Sequence, residues 1–345
     1  MRFPILVTAI AIGSIGVSGQ GTNGPTDAKA QKTYAEAVQA MRVRQYSDAL
    51  DKFKKANKQD GGQCSSCLTQ IVSVASEIGD FKAADSASKD LIGLVHTPEE
   101  VAKAHYQRGV LLLQQGVLKN KSSLFAEASD ELKTALASDA KNVTWLYAQG
   151  IALARLKQDD AAKADFQQVA DLSRPGGITH SRALRFAARP ELARERMAPA
   201  FALTAEGGQR VSMDDLGGKV VLIDFWATWC GPCREALPHM KHIAQKFAGQ
   251  PLVVLSVSLD TDEQKWKNFV AQNEMTWLQY RDGGFDGPIS RLFNVQAIPH
   301  TFTIDSDGVL QDEKIGDDYI EGKLKKLIAQ AREIQEARGV EQSSK

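Results

Sequence analysis

The sequence predicts two unlike domains in one chain, an all-α array in the first half and an α/β domain in the second. Three observations carry this. From Asp27 to Leu172 the chain is rich in alanine, its apolar residues fall at helical spacing, and strand signals are almost absent. Within that segment an aromatic, small, bulky, small pattern recurs at a nearly constant interval. From Val220 to Ala227 the chain is instead a mainly apolar strand-like run, which passes through the pair Cys230 and Cys233 into a helical segment reaching Phe247. A length of 345 residues fits more than one domain.

The first element is a short positive start, Met1-Arg2, then an uncharged stretch from Phe3 to Val17 and the small residues Ser18-Gly19. This reads as an export signal over residues 1–19, cut near Gly19. The stretch is shorter than the roughly 20 residues that span a bilayer. An uncleaved anchor is the alternative, and with no cysteine nearby, lipid attachment is not expected. Export would place the protein in a periplasmic or other extracytoplasmic compartment, where disulfides persist. Lysine plus arginine equals aspartate plus glutamate at 42 each, with no dominant basic cluster, so nucleic acid and anionic membrane surfaces are poor partners.

The recurring pattern occupies residues 27–172. It runs Tyr46, Ala49, Phe53, Ala56; then Phe81, Ala84, Ser88, Leu91; then Phe125, Ala128, Leu132, Ala135; then Asp159, Ala162, Phe166, Val169. The interval between first alanines is close to the tetratricopeptide period of about 34, except before the third unit, where an insertion is expected around Val117 to Ser123. Gly109 and Gly150 stand where such a repeat needs a small residue in its first helix, with Ala37 serving the first unit. Val72, Ser88 and Asp159 depart from the pattern. A helical hairpin cannot bury its own face, so neighbouring units must stack, and the product expected is a tetratricopeptide-like superhelix that takes a protein or peptide ligand. A spacer or oligomerisation module is the alternative. Charges such as Lys103, Lys141 and Arg155 read as solvated helix faces.

Between the first two units, Gly61-Gly-Gln-Cys64-Ser-Ser-Cys67 stands where a helix begins. In an exported protein this pair is expected to form a local structural disulfide, and a second redox centre is the alternative. After the repeats, Ser173 to His180 is turn-rich and Arg182 to Arg196 is a basic connector compatible with a helix, so residues 173–196 read as a linker that either docks the two domains or separates them. In the last part, Val253 to Asp260 reads as a buried strand and Asp305-Ser-Asp-Gly308 as a hairpin turn, without the later ligands of a calcium loop. His239 and His242 share a helix face, which is too little to argue a metal site.

The pair in Trp229-Cys230-Gly231-Pro232-Cys233 carries the chemistry. At the first turn of a helix, unpaired backbone amides and the dipole favour a thiolate, which makes Cys230 the nucleophile. Cys233, one turn further in, is placed to attack a mixed disulfide formed at Cys230. Pro232 presets a first-turn backbone angle and Gly231 lets the chain bend behind the sulfur. A structural disulfide or half of a zinc site is the alternative.

At these residues a family resemblance is plain. The stretch Val221 to Cys233 resembles the active-site strand and helix of thioredoxin, and Cys233-Arg-Glu-Ala-Leu-Pro238 resembles the TlpA/ResA branch of that superfamily. Met197-Ala-Pro-Ala-Phe-Ala-Leu203, Leu216-Gly-Gly-Lys-Val-Val and Ala297-Ile298-Pro299-His300-Thr301 extend it over residues 197–337. The resemblance implies a thioredoxin fold, Pro299 as a cis-proline beside the dithiol, and Asp224 as a buried acid that handles a proton for the second cysteine. Trp226 and Trp229 are expected to pack around the dithiol, and Trp229, Gly231, Pro232 and Ile298 to meet the substrate. The expected protein is an exported thiol-disulfide oxidoreductase, of the reductase type because Gly-Pro and Ile298 resemble reducing thioredoxins. It needs no cofactor beyond the Cys230–Cys233 redox disulfide, acts on protein disulfides, and takes electrons from a membrane donor of the DsbD or CcdA type. The competing readings are a thiol peroxidase, whose usual Pro-x-x-x-Thr-x-x-Cys pattern is missing ahead of Cys230, and a repeat-based binding protein with an idle dithiol.

Overall fold

The computed structural model describes residues 24–213, 216–316 and 320–343; the export signal read over residues 1–19 lies outside these. Two compact units divide between Arg194 and Glu195.

The first unit is helical. Its helices are α1 (Ala28–Arg42), α2 (Tyr46–Gln59), α3 (Ser65–Ile78), α4 (Phe81–Leu94), α5 (Pro98–Lys119), α6 (Ser122–Leu136), α7 (Val143–Arg155), α8 (Asp159–Leu172) and α9 (Ile178–Ala188), followed by a short 3-10 turn at Pro190–Arg194. Polar side chains begin many of them. Asp27, Asp80, Thr97 and Asn142 each accept the backbone N–H three residues on, at 2.8, 3.1, 3.3 and 3.2 Å. Each such cap contributes about 1 kcal/mol by occupying an amide that the helix leaves unpaired.

Helices α1 to α8 pair as consecutive hairpins, and each hairpin packs on the next. The recurring pattern lies on the second helix of each pair. Ala49, Phe53 and Ala56 on α2, Ala84 and Leu91 on α4, Leu132 and Ala135 on α6, and Phe166 and Val169 on α8 are all buried. Gly109 and Gly150 mark where the hairpins close most tightly. A Cβ at Gly109 would stand 2.7 Å from Leu132 Cγ, and one at Gly150 would stand 2.8 Å from Phe166 Cε1. The extra residues of the third unit fall around the α5–α6 junction, where the insertion is expected. Gly109 precedes Ala128 by 19 residues, whereas Gly150 precedes Ala162 by 12. The surplus does not form a loop, because only Asn120 and Lys121 separate α5 from α6. It lengthens both helices, and a second close contact seals the extension, with a Cβ at Gly116 lying 2.6 Å from Phe125.

The stretch read as a linker, 173–196, contains packed helix. Phe186 of α9 is fully buried, 5.1 Å from the Phe166 ring and 6.2 Å from Tyr147. Its apolar face closes the last hairpin, much as a terminal repeat must. Arg194 donates to the Ala154 carbonyl at 2.7 Å and pairs with Asp159, tying the end of the unit to α7 and α8.

The second unit is a thioredoxin fold. Its elements are β1 (Ala202–Thr204), β2 (Arg210–Ser212), β3 (Val220–Trp226), α10 (Gly231–Lys246), β4 (Leu252–Ser258), α11 (Glu263–Gln272), β5 (Leu278–Arg281), α12 (Pro288–Leu292), β6 (His300–Ile304), β7 (Leu310–Ile315) and α13 (Glu321–Ser343). β1 and β2 form a hairpin, and the main sheet has the order β5-β4-β3-β6-β7. β3 runs parallel to β4 and antiparallel to β6. As the central strand it is covered on both faces, so every residue in it is buried, which explains the nearly continuous apolar run. Val220 and Leu222 pack with Met240 and Ile243 of α10, with Phe247 that caps it, and with Leu324 and Ile328 of α13. Val221, Ile223 and Phe225 face the other way, onto Phe293, Phe302 and Trp266. The turn expected at Asp305-Ser-Asp-Gly308 joins β6 to β7, with Asp305 Oδ1 accepting the N–H groups of Asp307 and Val309 at 2.9 Å each and Gly308 at φ +85°.

Candidate active site

The chain leaves β3 at its carboxyl end, turns through Ala227 to Trp229, and enters α10. Cys230 is the N-cap of that helix, and Cys233 lies in its first turn. The two are joined in a disulfide, and the N–H of Cys233 donates to Cys230 Sγ at 3.2 Å. A helix start gathers unpaired amides around the first sulfur, so the site would stabilise negative charge there once the bond is reduced. Both sulfur residues are 6% exposed, and Gly231 and Pro232 beside them are exposed. The two tryptophans differ from the expectation that both pack around the dithiol. Trp226 is buried against Phe269 at 5.4 Å, while Trp229 is 56% exposed. As the last residue of the turn, Trp229 presents its ring to solvent and not to the core.

That turn is held by Asp260, a residue to which the sequence reading assigned no role. Asp260 stands at the end of β4 and is 2% exposed. Its carboxylate accepts the N–H of Thr228 at 2.9 Å, the Thr228 hydroxyl at 2.6 Å and the Ser258 hydroxyl at 2.7 Å. Three donors compensate a buried charge. Only the charge at the end of an apolar strand signalled it in the sequence.

Asp224 lies in β3, 7% exposed, on the face shared with Val220 and Leu222. Ser256 of β4 donates to Asp224 Oδ2 at 3.2 Å, and Trp277 Nε1 donates to Ser256 Oγ at 2.8 Å. Register places Asp224 beside Ser256 on one side and Thr301 on the other, with Gln279 and Lys314 completing a polar row across the sheet.

The Ile298–Pro299 peptide bond is cis. Pro299 immediately precedes β6, whose His300 pairs in register with Phe225, so the bond lies next to the carboxyl end of β3. Ile298 packs against the core cluster that contains Cys230 and Cys233. His300 is 3% exposed, stacks on Phe302 at 4.5 Å, and lies 3.4 Å from Glu313, which also binds Arg196 at 2.6 Å. Burial pushes the imidazole below its ordinary pKa, with Glu313 acting in the opposite direction.

Cys64 and Cys67 repeat the local arrangement in the helical unit. Cys64 is the N-cap of α3, bonded to Cys67, whose N–H donates to Cys64 Sγ at 3.1 Å. The surroundings differ. Both cysteines are at most 1% exposed, packed against Ala56 and Tyr34, and burial raises the Tyr34 phenol pKa. Among the described residues, no group of three or more His, Cys, Asp and Glu side chains is placed to hold a metal ion, and no helix is long and apolar enough to cross a membrane.

Residues 195–313 match the model of the AhpC/TSA family. The thiol-disulfide oxidoreductase ResA of Bacillus cereus is 31% identical over 145 residues, which cover 41% of this chain and 83% of the relative. The thioredoxin-like protein YneN of Bacillus subtilis is 34% identical over 124 residues, covering 35% and 71%. Among solved structures, a thiol-disulfide oxidoreductase from Bacteroides fragilis is 26% identical, covers 38% of this chain and 99% of its own, and has a TM-score of 0.36. With 83% of the ResA sequence matched at 31% identity, the chain belongs to the family of ResA-like thiol-disulfide oxidoreductases.

Proposed function

We propose that the protein reduces disulfides in exported proteins through Cys230 and Cys233. The observation that carries this is the Cys230 sulfur at the start of α10, within hydrogen-bond reach of the Cys233 amide. In the reduced protein the Cys230 thiolate attacks one sulfur of a substrate disulfide. A mixed disulfide forms and one substrate sulfur leaves as thiolate. Cys233 loses its proton to Asp224 and attacks Cys230 Sγ, which releases the second substrate sulfur and closes the Cys230–Cys233 bond. The substrate has gained two electrons and the protein has lost two. A dithiol donor restores them, and the role fits a membrane reductase of the DsbD or CcdA type. No further cofactor is needed.

Trp229, Gly231, Pro232 and Ile298 form the surface that meets the substrate chain, with Pro299 offering backbone for an extended segment. The helical unit supplies a second surface for a protein or peptide partner, in the manner of tetratricopeptide repeats. Cys64–Cys67 is a structural bridge, since sulfurs this buried are closed to an incoming thiolate. The export signal sets the compartment as periplasmic or otherwise extracytoplasmic.

Insulin reduction by dithiothreitol tests the reading. Wild type should accelerate it, Cys230→Ser should abolish the acceleration, and Cys233→Ser should hold substrates as mixed disulfides. Full activity in Cys230→Ser would overturn the mechanism. The AhpC/TSA match makes peroxide a necessary second substrate to try, and consumption of hydrogen peroxide with dithiothreitol at a rate exceeding that of insulin reduction would favour a peroxidase.

A further inference from the structure

The hydrogen bonds that reach Asp224 from β4 and Trp277 have a fixed direction. An indole nitrogen carries a hydrogen and offers no lone pair, so Trp277 Nε1 can only donate to Ser256 Oγ, at 2.8 Å. Ser256 is fully buried, and its hydroxyl has one hydrogen to place. With Trp277 occupying an acceptor position of the oxygen, that hydrogen points to Asp224 Oδ2, 3.2 Å away. A carboxylate receives it best when ionised.

We propose that Trp277 and Ser256 form a relay of fixed polarity that keeps the buried Asp224 carboxylate ionised and able to accept a proton. Both are positioning residues, acting on the dithiol through Asp224, and the inference rests on the reading of Asp224 as the proton acceptor for Cys233. Two effects compete at Asp224. Burial favours the neutral acid, while a hydrogen bond given to the charged form favours the anion. Without the relay, burial acts unopposed by these two donors.

Among the described residues, several titratable groups near this face have partners of their own. On α10, His239, His242 and Lys246 gather on Glu321 of α13. On β7, Lys314 shares Asp224's register row but is separated from it by Thr301 of β6. β4 and β5 bring the uncharged Ser256 and Gln279.

The test is a pH titration of the Asp224 carboxyl carbon by NMR in reduced, full-length protein labelled at aspartate, with the resonance assigned by its loss in Asp224→Asn. Ser256→Ala should move the midpoint up by about one pH unit, the size expected for one hydrogen bond to a charged group. Trp277→Phe, which leaves the hydroxyl but frees its orientation, should move it the same way by less. Ser256→Thr should restore the wild-type value. An unchanged or lowered midpoint in both Ser256→Ala and Trp277→Phe overturns the relay, and Trp277→Phe alone decides the matter if Ser256→Ala does not fold. Insulin reduction measured on the same samples separates the two claims. If the midpoint rises and the acidic limb of the rate profile rises with it, relay and proton role both stand. If the midpoint rises and the rate profile does not move, the relay stands and the reading of Asp224 as proton acceptor falls.

Discussion

Thr228 gives both of its donors, the backbone N–H and the hydroxyl, to the carboxylate of Asp260, at 2.9 and 2.6 Å. This pins the turn that ends in Trp229 and Cys230 to the end of the neighbouring strand. In Asp260→Ala the Thr228 N–H and the Ser258 hydroxyl lose a buried acceptor, so the thioredoxin-like unit should lose about 3 kcal/mol of stability. Thr228→Val removes one donor and should cost about 1 kcal/mol. Denaturant unfolding followed by tryptophan fluorescence reads both. A loss in Asp260→Ala no greater than in Thr228→Val would mean that the anchor is not the carboxylate.

Two glycines on different hairpins of the array should respond to alanine with opposite sign. A Cβ at Gly150 would meet three ring atoms of Phe166 between 2.8 and 3.0 Å, and Phe166 is fully buried. The overpacking cost of about 1–3 kcal/mol exceeds the gain in helix propensity of at most about 1 kcal/mol, so Gly150→Ala should destabilise the repeats. Gly93 in α4 has nothing within 4 Å of its Cβ position. There only propensity acts, and Gly93→Ala should stabilise by about 0.5 kcal/mol, reduced by its place near the helix end. Thermal melts of the two variants against wild type check the sign.

Asp165 on α8 is half-buried, with Oδ2 lacking a hydrogen-bond partner, and burial pushes its carboxyl up to about 6 against the opposing pull of Lys133. The folded protein therefore holds a proton that the unfolded chain, near 3.9, has released. Stability relative to Asp165→Asn should fall as pH rises from about 4 through 6, then stay level. The full shift would amount to nearly 3 kcal/mol, but solvent reaches part of the group, so about 1 kcal/mol is expected. Guanidinium midpoints for the two proteins at pH 4.5 and 7.5 measure it, and parallel midpoints would rule the effect out.

Sequence legibility followed the physical range of each signal. The hairpin faces were readable because burial at helical spacing repeats within a few residues, as with Phe53 and Phe166. Cys230 at a helix start was readable from its neighbours Gly231 and Pro232. The insertion before Ala128 is legible as extra length around Val117 to Ser123, but its form is not, because its residues suit helix or loop equally and the choice is made by Gly116 meeting Phe125. Phe186 on α9 was read as linker because the basic residues around it hide a short apolar face. Asp260, Ser256 and Trp277 were missed because each takes its meaning from a partner more than 20 residues away, across strands whose register no local pattern sets.

His300, next to the cis bond, brings a pH dependence of its own to the domain. Burial holds its imidazole neutral, below the ordinary pKa, and the nearby Glu313 only partly offsets this. The unfolded chain takes up the proton near pH 6.5, before the folded one does. The folded state then binds fewer protons, so the contribution is fully present above about 6.5 and is lost as pH falls toward the lower folded value. His300→Phe keeps a ring for the stack on Phe302 and removes the titration. Measured against that variant, wild-type stability should be level from pH 8 to 7 and decline between 6.5 and 5. A difference that stays constant across this range would show that His300 takes up its proton equally in both states, and a rising one that Glu313 outweighs burial.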